Sequence, residues 1–441
     1  MVRTLTALML AALALAFAPF RAAAAPAPAS LSALDVIALE IGYTTVMARY
    51  YKPVSPSALL GGARTGIVSY LVGRGIPDPQ IPLPPPHADR YSAENEIDRD
   101  VALAVARYGS RINTDDLVNM TIAGELAVLH DPYSVLFRKP EYKKFVAFLD
   151  GKGVGGIGAE LDVDPATHVV RIVDVFPGSP AEGGGLRSGD VITSIEGRPP
   201  AVGTPDAVGA QLRGAAGTVV HVGFTRDGAA HDPLALTRRV ITPPDVLART
   251  IPGGIGYVRL RSFGADSAKQ LDAALARLKA AGVHGYVLDL RGNGGGYRDD
   301  AIAVASHFVR GTVVTTQERG AAPSVFAAKS IATIGAPLTV LVDGDTASAS
   351  EIVAGAIQDE KAGTLIGTRT FGKGLVQETF ALPDGGAIKL TTARYLTPAG
   401  RDIDRVGITP DLVVAEPSDA QLGRPGHDPQ LDRALAVLHG A

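Results

Sequence analysis

The sequence predicts a layered α/β core joined to a small β-rich module and a helical amino-terminal region. Three observations carry that reading. From Ile255 onward, short apolar strands alternate with amphipathic helices, the pattern of a layered α/β core. Between about residues 151 and 237 the chain breaks into β-branched runs punctuated by glycine. Over 31–149, apolar residues recur at helical spacing.

The chain has 441 residues, 46% hydrophobic and 20% charged, which is enough for two or three domains with their own cores and excludes a disordered chain. Its 42 basic and 45 acidic residues leave a net charge of −3, so no positive excess is available to hold a polyanion, and nucleic acid is not an expected partner. At the amino end, Arg3 precedes an apolar run over 5–17, followed by Arg21 and the small residues Ala22, Ala23, Ala24 and Ala25. That layout predicts a secretory signal peptide over 1–24. The run is shorter than the roughly 18 to 20 apolar residues a spanning helix needs. Export to a bacterial periplasm is therefore expected, with inner-membrane association if the leader is retained. The chain has no cysteine, so disulfides and zinc–thiolate sites are excluded.

In the helical region, Leu34, Ile37, Ala38 and Ile41 mark one amphipathic stretch, and Leu117, Ile122, Leu126 and Leu129 another. Pro77, Pro79, Pro82, Pro84, Pro85 and Pro86 interrupt helix continuation and predict a stiff linker near 77–86. The β-rich module over 151–237 has strands at 169–175 and 219–224, with a helix at 205–212 between them. A core over 245–415 follows, with strands at 256–260, 285–290 and 338–342 and helices at 267–281, 299–308 and 349–358. A tail over 416–441 ends in a short amphipathic helix at 430–438.

Ser348 stands just beyond an apolar strand and opens the helix that starts Ala349, Ser350, Glu351. On the local pattern alone, a capping box with Glu351 is the stronger reading. A serine there also suits a nucleophile, because unpaired amides at a helix start favour developing negative charge. The next segment shifts the balance towards chemistry, since Lys373 lies between Gly372 and Gly374 with Phe371, Leu375 and Val376 beside it. A lysine base must be neutral, so its pKa has to fall from about 10.4 towards 7 to 8. At about 1.4 kcal/mol per unit, desolvation must supply on the order of 4 kcal/mol. Gln377, four positions on, can hold the amine through a hydrogen bond. The nine histidines show no pair at metal spacing, and a Ser/His/Asp triad assembled across the chain stays open. The run Gly294, Gly295, Gly296 after a strand lacks the third glycine of a dinucleotide fingerprint, because Tyr297 occupies that place. It reads instead as a loop offering backbone amides as an oxyanion hole.

These residues stand in VLDLRGNGGG, LVDGDTASASEIVAGAIQD, GTRTFGKGLVQ and IKLTTARYLTPAGRDID, preceded by LHDPYSVLF. Together they resemble the carboxyl-terminal processing peptidases, also called tail-specific proteases. The resemblance implies a crotonase-like core with an inserted PDZ domain. It also implies a serine endopeptidase that cleaves proteins near their carboxyl termini, with Ser348 as nucleophile, Lys373 as base and Gln377 as the residue orienting the amine. Ser348 and Lys373 are 25 residues apart, as in that family. The same resemblance places the oxyanion hole at the amide of Ala349 together with Gly294 or Gly295. The family's carboxylate-binding loop matches Gly156, Ile157, Gly158 and Ala159, followed by GSPAEGGGLRSGDVITSIEG. On such a loop, amides grip a terminal carboxylate while the peptide adds as a strand. Where the family commonly has asparagine and proline before its glycine pair, this chain reads Asn293 then Gly294, which is expected to loosen the loop. No metal or cofactor is expected. Partners are protein substrates with free carboxyl termini; a homo-oligomer and an activator or adaptor remain open. The rival readings are a catalytically silent PDZ scaffold that collects tails, and an esterase for small acyl substrates, which leaves the peptide-tail module unexplained.

Overall fold

The computed structural model of the chain describes residues 31–82, 88–149, 154–164, 166–329, 334–417 and 420–440. The leader expected over 1–24 and the prolines Pro84, Pro85 and Pro86 lie outside the described residues. The chain divides into two compact units. One takes the described residues up to Thr44 and Val54–His130, the other Thr45–Pro53 and the described residues from Asp131 onward.

The first unit is helical. It is built from the start of α1 (Ala33–Arg49), α2 (Pro56–Gly73), α3 (Arg90–Tyr108) and α4 (Thr114–Ala127). Each start has a local cause: a proline opens α2, Asp89 accepts the Ser92 amide at α3, and Asn113 accepts the Asp116 amide at α4. α2 and α4 cross with their backbones nearly touching. A Cβ on Gly66 would run into the Met120 carbonyl oxygen, and one on Gly62 into that of Gly124. Glycine is required at this crossing because no side chain fits. The buried Arg64 ties α2 to α3 through Asp100 and, at 3.2 Å, Glu96. Gly66→Ala is expected to cost about 1–3 kcal/mol by overpacking, seen as a lower denaturation midpoint for the helical unit.

The second unit begins with β1 (Val135–Phe137) and α5 (Lys139–Leu149). The β-rich module follows: β2 (Val154–Gly156), β3 (Ala159–Val163), β4 (Val170–Val175), α6 (Pro180–Gly183), β5 (Val191–Ile195), α7 (Pro205–Leu212), β6 (Val219–Arg226), β7 (Ala229–Ala230), β8 (Leu234–Thr237) and β9 (Arg239–Ile241). Its antiparallel sheet runs β3-β4-β5-β6-β7 with β8 also on β6, and β2 pairs with β9. Alternate residues Val170 and Ile172 of β4, and Val220, Val222 and Phe224 of β6, turn into one core that Val208 and Leu212 of α7 close.

The larger core contains β10 (Val246–Ile251), β11 (Ile255–Leu260), α8 (Ser267–Ala280), β12 (Gly285–Asp289), α9 (Arg298–Ala305), β13 (Thr312–Glu318), β14 (Ser324–Ala327), β15 (Leu338–Val342), α10 (Ala349–Asp359), β16 (Thr364–Gly367), β17 (Leu375–Ala381), β18 (Ala387–Leu396), β19 (Leu412–Val413) and α11 (Pro429–His439). Its main sheet has the order β10-β11-β12-β15-β16-β19 and is parallel except for β10. Strands buried on both faces read as continuous apolar runs, and here the two faces have different partners. Val258, Leu288, Val340 and Leu365 face α8, α9 and α10, whereas Tyr257, Val287, Leu341 and Ile366 face Leu431, Ala434 and Leu438 of α11. A second, antiparallel sheet joins β1, β18, β13 and β14, with β17 on β18. The helix predicted over 299–308 ends at Ala305, and β10, β13, β14, β16, β17, β18 and β19 are strands the sequence reading does not assign.

The β-rich module meets the main sheet through arginines. Arg259 of β11 donates to Asp174 at 2.7 Å and Glu160 at 3.0 Å, Arg261 donates to Glu160 at 2.7 Å, and the Arg261 guanidinium lies 4.8 Å from the Phe176 ring centre. A buried guanidinium needs such partners, so these pairs fix where β3 and β4 lie against β11.

Candidate active site

Ser348 sits in the turn between β15 and α10 with φ 57° and ψ −115°, a conformation that β-carbon-bearing residues adopt at a cost of about 1–3 kcal/mol. Surrounding bonds hold it there. The Ala347 amide donates to the Asn293 carbonyl at 3.0 Å, the Ser348 amide to Glu351 Oε2 at 2.9 Å, and the Tyr395 hydroxyl to the Ser348 carbonyl at 2.9 Å. The Ser348 hydroxyl makes no capping bond. The Glu351 half of the expected capping box carries its bond, the Ser348 amide donating to the Glu351 carboxylate.

Lys373 arrives on the loop between β16 and β17. Gly372, at φ 87°, lies against the backbone of Val406 and Gly407, and Gly374 against that of Asp404, so neither has room for a side chain. Glu351, fully buried, joins this loop to the serine turn. Its Oε1 accepts from Thr370 Oγ1 at 2.6 Å and the Gly372 amide at 2.8 Å; its Oε2 accepts from the amides of Lys373 at 2.8 Å and Ser348 at 2.9 Å. Tyr395 repeats the link, its one hydroxyl proton shared between the carbonyls of Ser348 and Lys373.

The side chains of Ser348, Lys373 and Gln377 line one cavity of about 440 Å³, together with the glycine loop, Ala349, Ile352, Leu375 and Tyr395. Burial pushes the Lys373 ammonium below the ordinary lysine range. The nearby charge of Lys389 acts in the same direction, and Glu351 and Asp131 partly oppose it. The ammonium lies 5.1 Å from the centre of the Tyr133 ring. The bond expected between Gln377 and the amine is not made: Gln377 Nε2 is buried without a hydrogen-bond partner among the described residues. Catalytic hydrogen bonds commonly tighten only around the reacting complex.

The glycine loop is pinned, contrary to the looseness expected of Asn293 followed by Gly294. Asn293 is buried, its Nδ2 donates to the Leu260 carbonyl at 2.8 Å, and its Oδ1 accepts the Gly295 amide at 2.9 Å. The Asn293 side chain thus ties the loop to β11 on one side and to Gly295 on the other, across Gly294. A Cβ on Gly295 would lie 2.9 Å from Ser348 Cβ and from the Ala349 nitrogen, so only glycine allows this approach. The Gly295 amide is already engaged, whereas those of Gly294 and Ala349 donate to no described residue.

Gly156, Ile157, Gly158 and Ala159 lie in the β-rich module and do not line this cavity. Gly156 ends β2 and Ala159 begins β3. The Ile157 carbonyl accepts the Ala181 amide and the Gly158 carbonyl the Phe176 amide, while the Ile157 and Gly158 amides donate to no described residue. His307 is buried against Asp272, Nε2 to Oδ1 3.0 Å, and no histidine is among the described residues lining the cavity. Sequence reasoning missed the linking role of Glu351, the anchoring role of Asn293 and the placement of Tyr395 and Lys389. All four stand inside the quoted motifs, which was the available signal.

A serine turn, a desolvated lysine and a glycine loop on a layered α/β core, beside a small β module, define a serine peptidase. Comparison with known proteins agrees. The family model of peptidase family S41 matches residues 254–414 and that of a PDZ domain residues 171–226. The carboxyl-terminal-processing protease of Synechocystis sp. is 38% identical over 323 residues, 71% of this chain and 75% of that protein. The carboxy-terminal-processing protease of Bartonella bacilliformis is 37% identical over 309 residues, 68% and 70%. Among solved structures, a photosystem II D1 C-terminal processing protease superposes with TM-score 0.51 at 28% identity, covering 92% of this chain and 98% of that one. A putative S41 protease from Bacteroides fragilis shares the fold, with TM-score 0.56 at 18% identity over 71% and 87%. The chain belongs to the carboxyl-terminal-processing proteases of peptidase family S41 and is a serine-type peptidase with a PDZ domain.

Glu351→Gln keeps the shape of the side chain but turns one acceptor oxygen into a donor amide facing groups that also donate. Each orphaned buried donor costs about 1–3 kcal/mol. The expected result is a lower midpoint in denaturant and a fall in kcat larger than any rise in KM; unchanged kcat would refute the linking role.

Proposed function

We propose that the chain is an endopeptidase acting through a Ser348/Lys373 pair on proteins near their carboxyl termini. The observation that carries the proposal is one cavity holding a conformationally strained serine beside a lysine whose charged form is disfavoured by burial. Neutral Lys373 Nζ takes the proton from Ser348 Oγ as that oxygen attacks the scissile carbonyl. The developing oxyanion is received by the amides of Ala349 and Gly294, neither of which donates to a described residue. Lys373 then protonates the departing amine, leaving an acyl-enzyme on Ser348. It next takes a proton from water as the water oxygen attacks the acyl carbon; the C–Oγ bond then breaks as Lys373 returns that proton to Ser348 Oγ, which frees the carboxylic acid and restores the neutral amine. Gln377 accepts a hydrogen bond from the amine as it cycles between its two states.

Selection of tails is supported by the loop at Gly156, Ile157, Gly158 and Ala159, whose two unengaged amides suit a terminal carboxylate, with β3 alongside for a peptide to extend. Export is part of the proposal and is supported by the leader pattern over 1–24. Sequencing the amino end of the exported protein is expected to give a start near Ala25.

Hydrolysis of an unstructured protein with a free apolar carboxyl tail is expected from the mature chain. Ser348→Ala and Lys373→Ala are expected to abolish it while leaving folding intact. Retained cleavage in Lys373→Ala would point to another base; tail binding without cleavage by any form would favour the silent scaffold. Because the base works only when neutral, kcat/KM should rise with pH through the Lys373 pKa, which lies below the ordinary lysine value, and be lost as pH falls and the amine is protonated. A profile flat from pH 5 to 10 would contradict this.

A further inference from the structure

Lys389 lies on β18 opposite Thr379 of β17 and lines the same cavity as Ser348 and Lys373. Its ammonium sits 5.7 Å from the ring centre of Phe137 and 5.6 Å from that of Phe145. It has no carboxylate partner within ion-pair distance among the described residues. Asp131, the acid whose charge it feels, is occupied by the Tyr133 amide at 3.0 Å and Ser134 Oγ at 2.6 Å. No Asp or Glu is among the described residues lining the cavity.

A half-buried ammonium without a counter-charge is costly, and an apolar side chain would cover Phe137 and Phe145 as well. The aromatic rings return part of that cost through their negative faces. The other cations of the cavity are committed. Lys373 must be neutral to act as base, and Arg298 is paired with Asp299 and stacked on Phe326. Lys389 is therefore the cation left to meet a ligand, and its chemical complement is a carboxylate.

Resting on the endopeptidase reading above, we propose that Lys389 is a specificity-determining residue that receives a substrate carboxylate in the active-site cavity, so that an acidic group near the scissile bond is preferred. The group is either an Asp or Glu side chain or the free terminus of a short tail, and both offer the same two oxygens.

Binding to the Ser348→Ala protein, measured by fluorescence anisotropy, tests the proposal without requiring turnover; failure to hydrolyse would damage only the endopeptidase reading. Amide-capped peptides carrying Glu or Gln at positions flanking the cut are compared, as are neutral peptides ending in a free carboxylate or an amide. The carboxylate member of at least one series is expected to bind about tenfold more tightly. Which series shows it identifies side chain or chain end as the source. Adding Lys389→Met should bring that ratio to about one, and Lys389→Arg, which keeps charge and length, should retain it. Equal binding within both series overturns the proposal. So does a preference that survives Lys389→Met, including one confined to the free terminus, which would then belong to the PDZ loop.

Discussion

The site depends on one buried carboxylate. Glu351 accepts four hydrogen bonds, two from the lysine loop's backbone, one from Thr370 and one from the serine turn. Burying such a group is unfavourable unless its acceptor sites are filled, so the four donors are drawn to it and the two loops are held at a fixed separation. The strain at Ser348 becomes tolerable for the same reason: its own amide is one of those donors, and relaxing the backbone would orphan it. Tyr395, fully buried, adds a second clamp across the same gap from the neighbouring sheet.

Behind the glycine loop stands a second buried polar cluster. Arg291, almost wholly enclosed, pairs with Asp289 and with Asp428, and the Tyr257 hydroxyl donates to Asp289 at 2.7 Å. Asp428 also caps α11, so the chain's last helix is fastened beneath the strand that carries the glycine loop. Glu416 borders the cluster, and burial lifts its pKa to about 7. Removing any one of these partners leaves a charge without compensation in a dry interior. The precision of the loop beside Ser348 thus originates in residues that touch no substrate.

The two sheets divide the chemistry. The parallel sheet presents Ser348 and the glycine loop from the carboxyl ends of β15 and β12, while the antiparallel sheet contributes Gln377 and Lys389 from β17 and β18. The cavity therefore needs both sheets, and its cationic lining, without an Asp or Glu among the described residues, is a product of their meeting.

Much of the fold was legible because local physics repeats along the chain. Alternation of apolar runs with helical patterns located β11, β12, β15, α8, α9 and α10, since strands buried on both faces must be continuously apolar and their covering helices amphipathic. Helix ends were less legible, as with the turn after Ala305, because fraying depends on neighbours. The strands of the antiparallel sheet carry mixed polar and apolar residues, as in the Leu375–Ala381 segment, and their pairing with distant β1 and β13 leaves no local mark. The sequence by itself determined the residue types available for chemistry, namely a serine opening a helix, a lysine between glycines and a glycine run after a strand. Tertiary structure decided that Glu351 links rather than merely caps, that Asn293 pins the glycine loop, and that Lys389 lines the same cavity as Ser348. Those outcomes rest on contacts between residues far apart in the chain, and the energy of such a contact exists only once folding has removed water from between them.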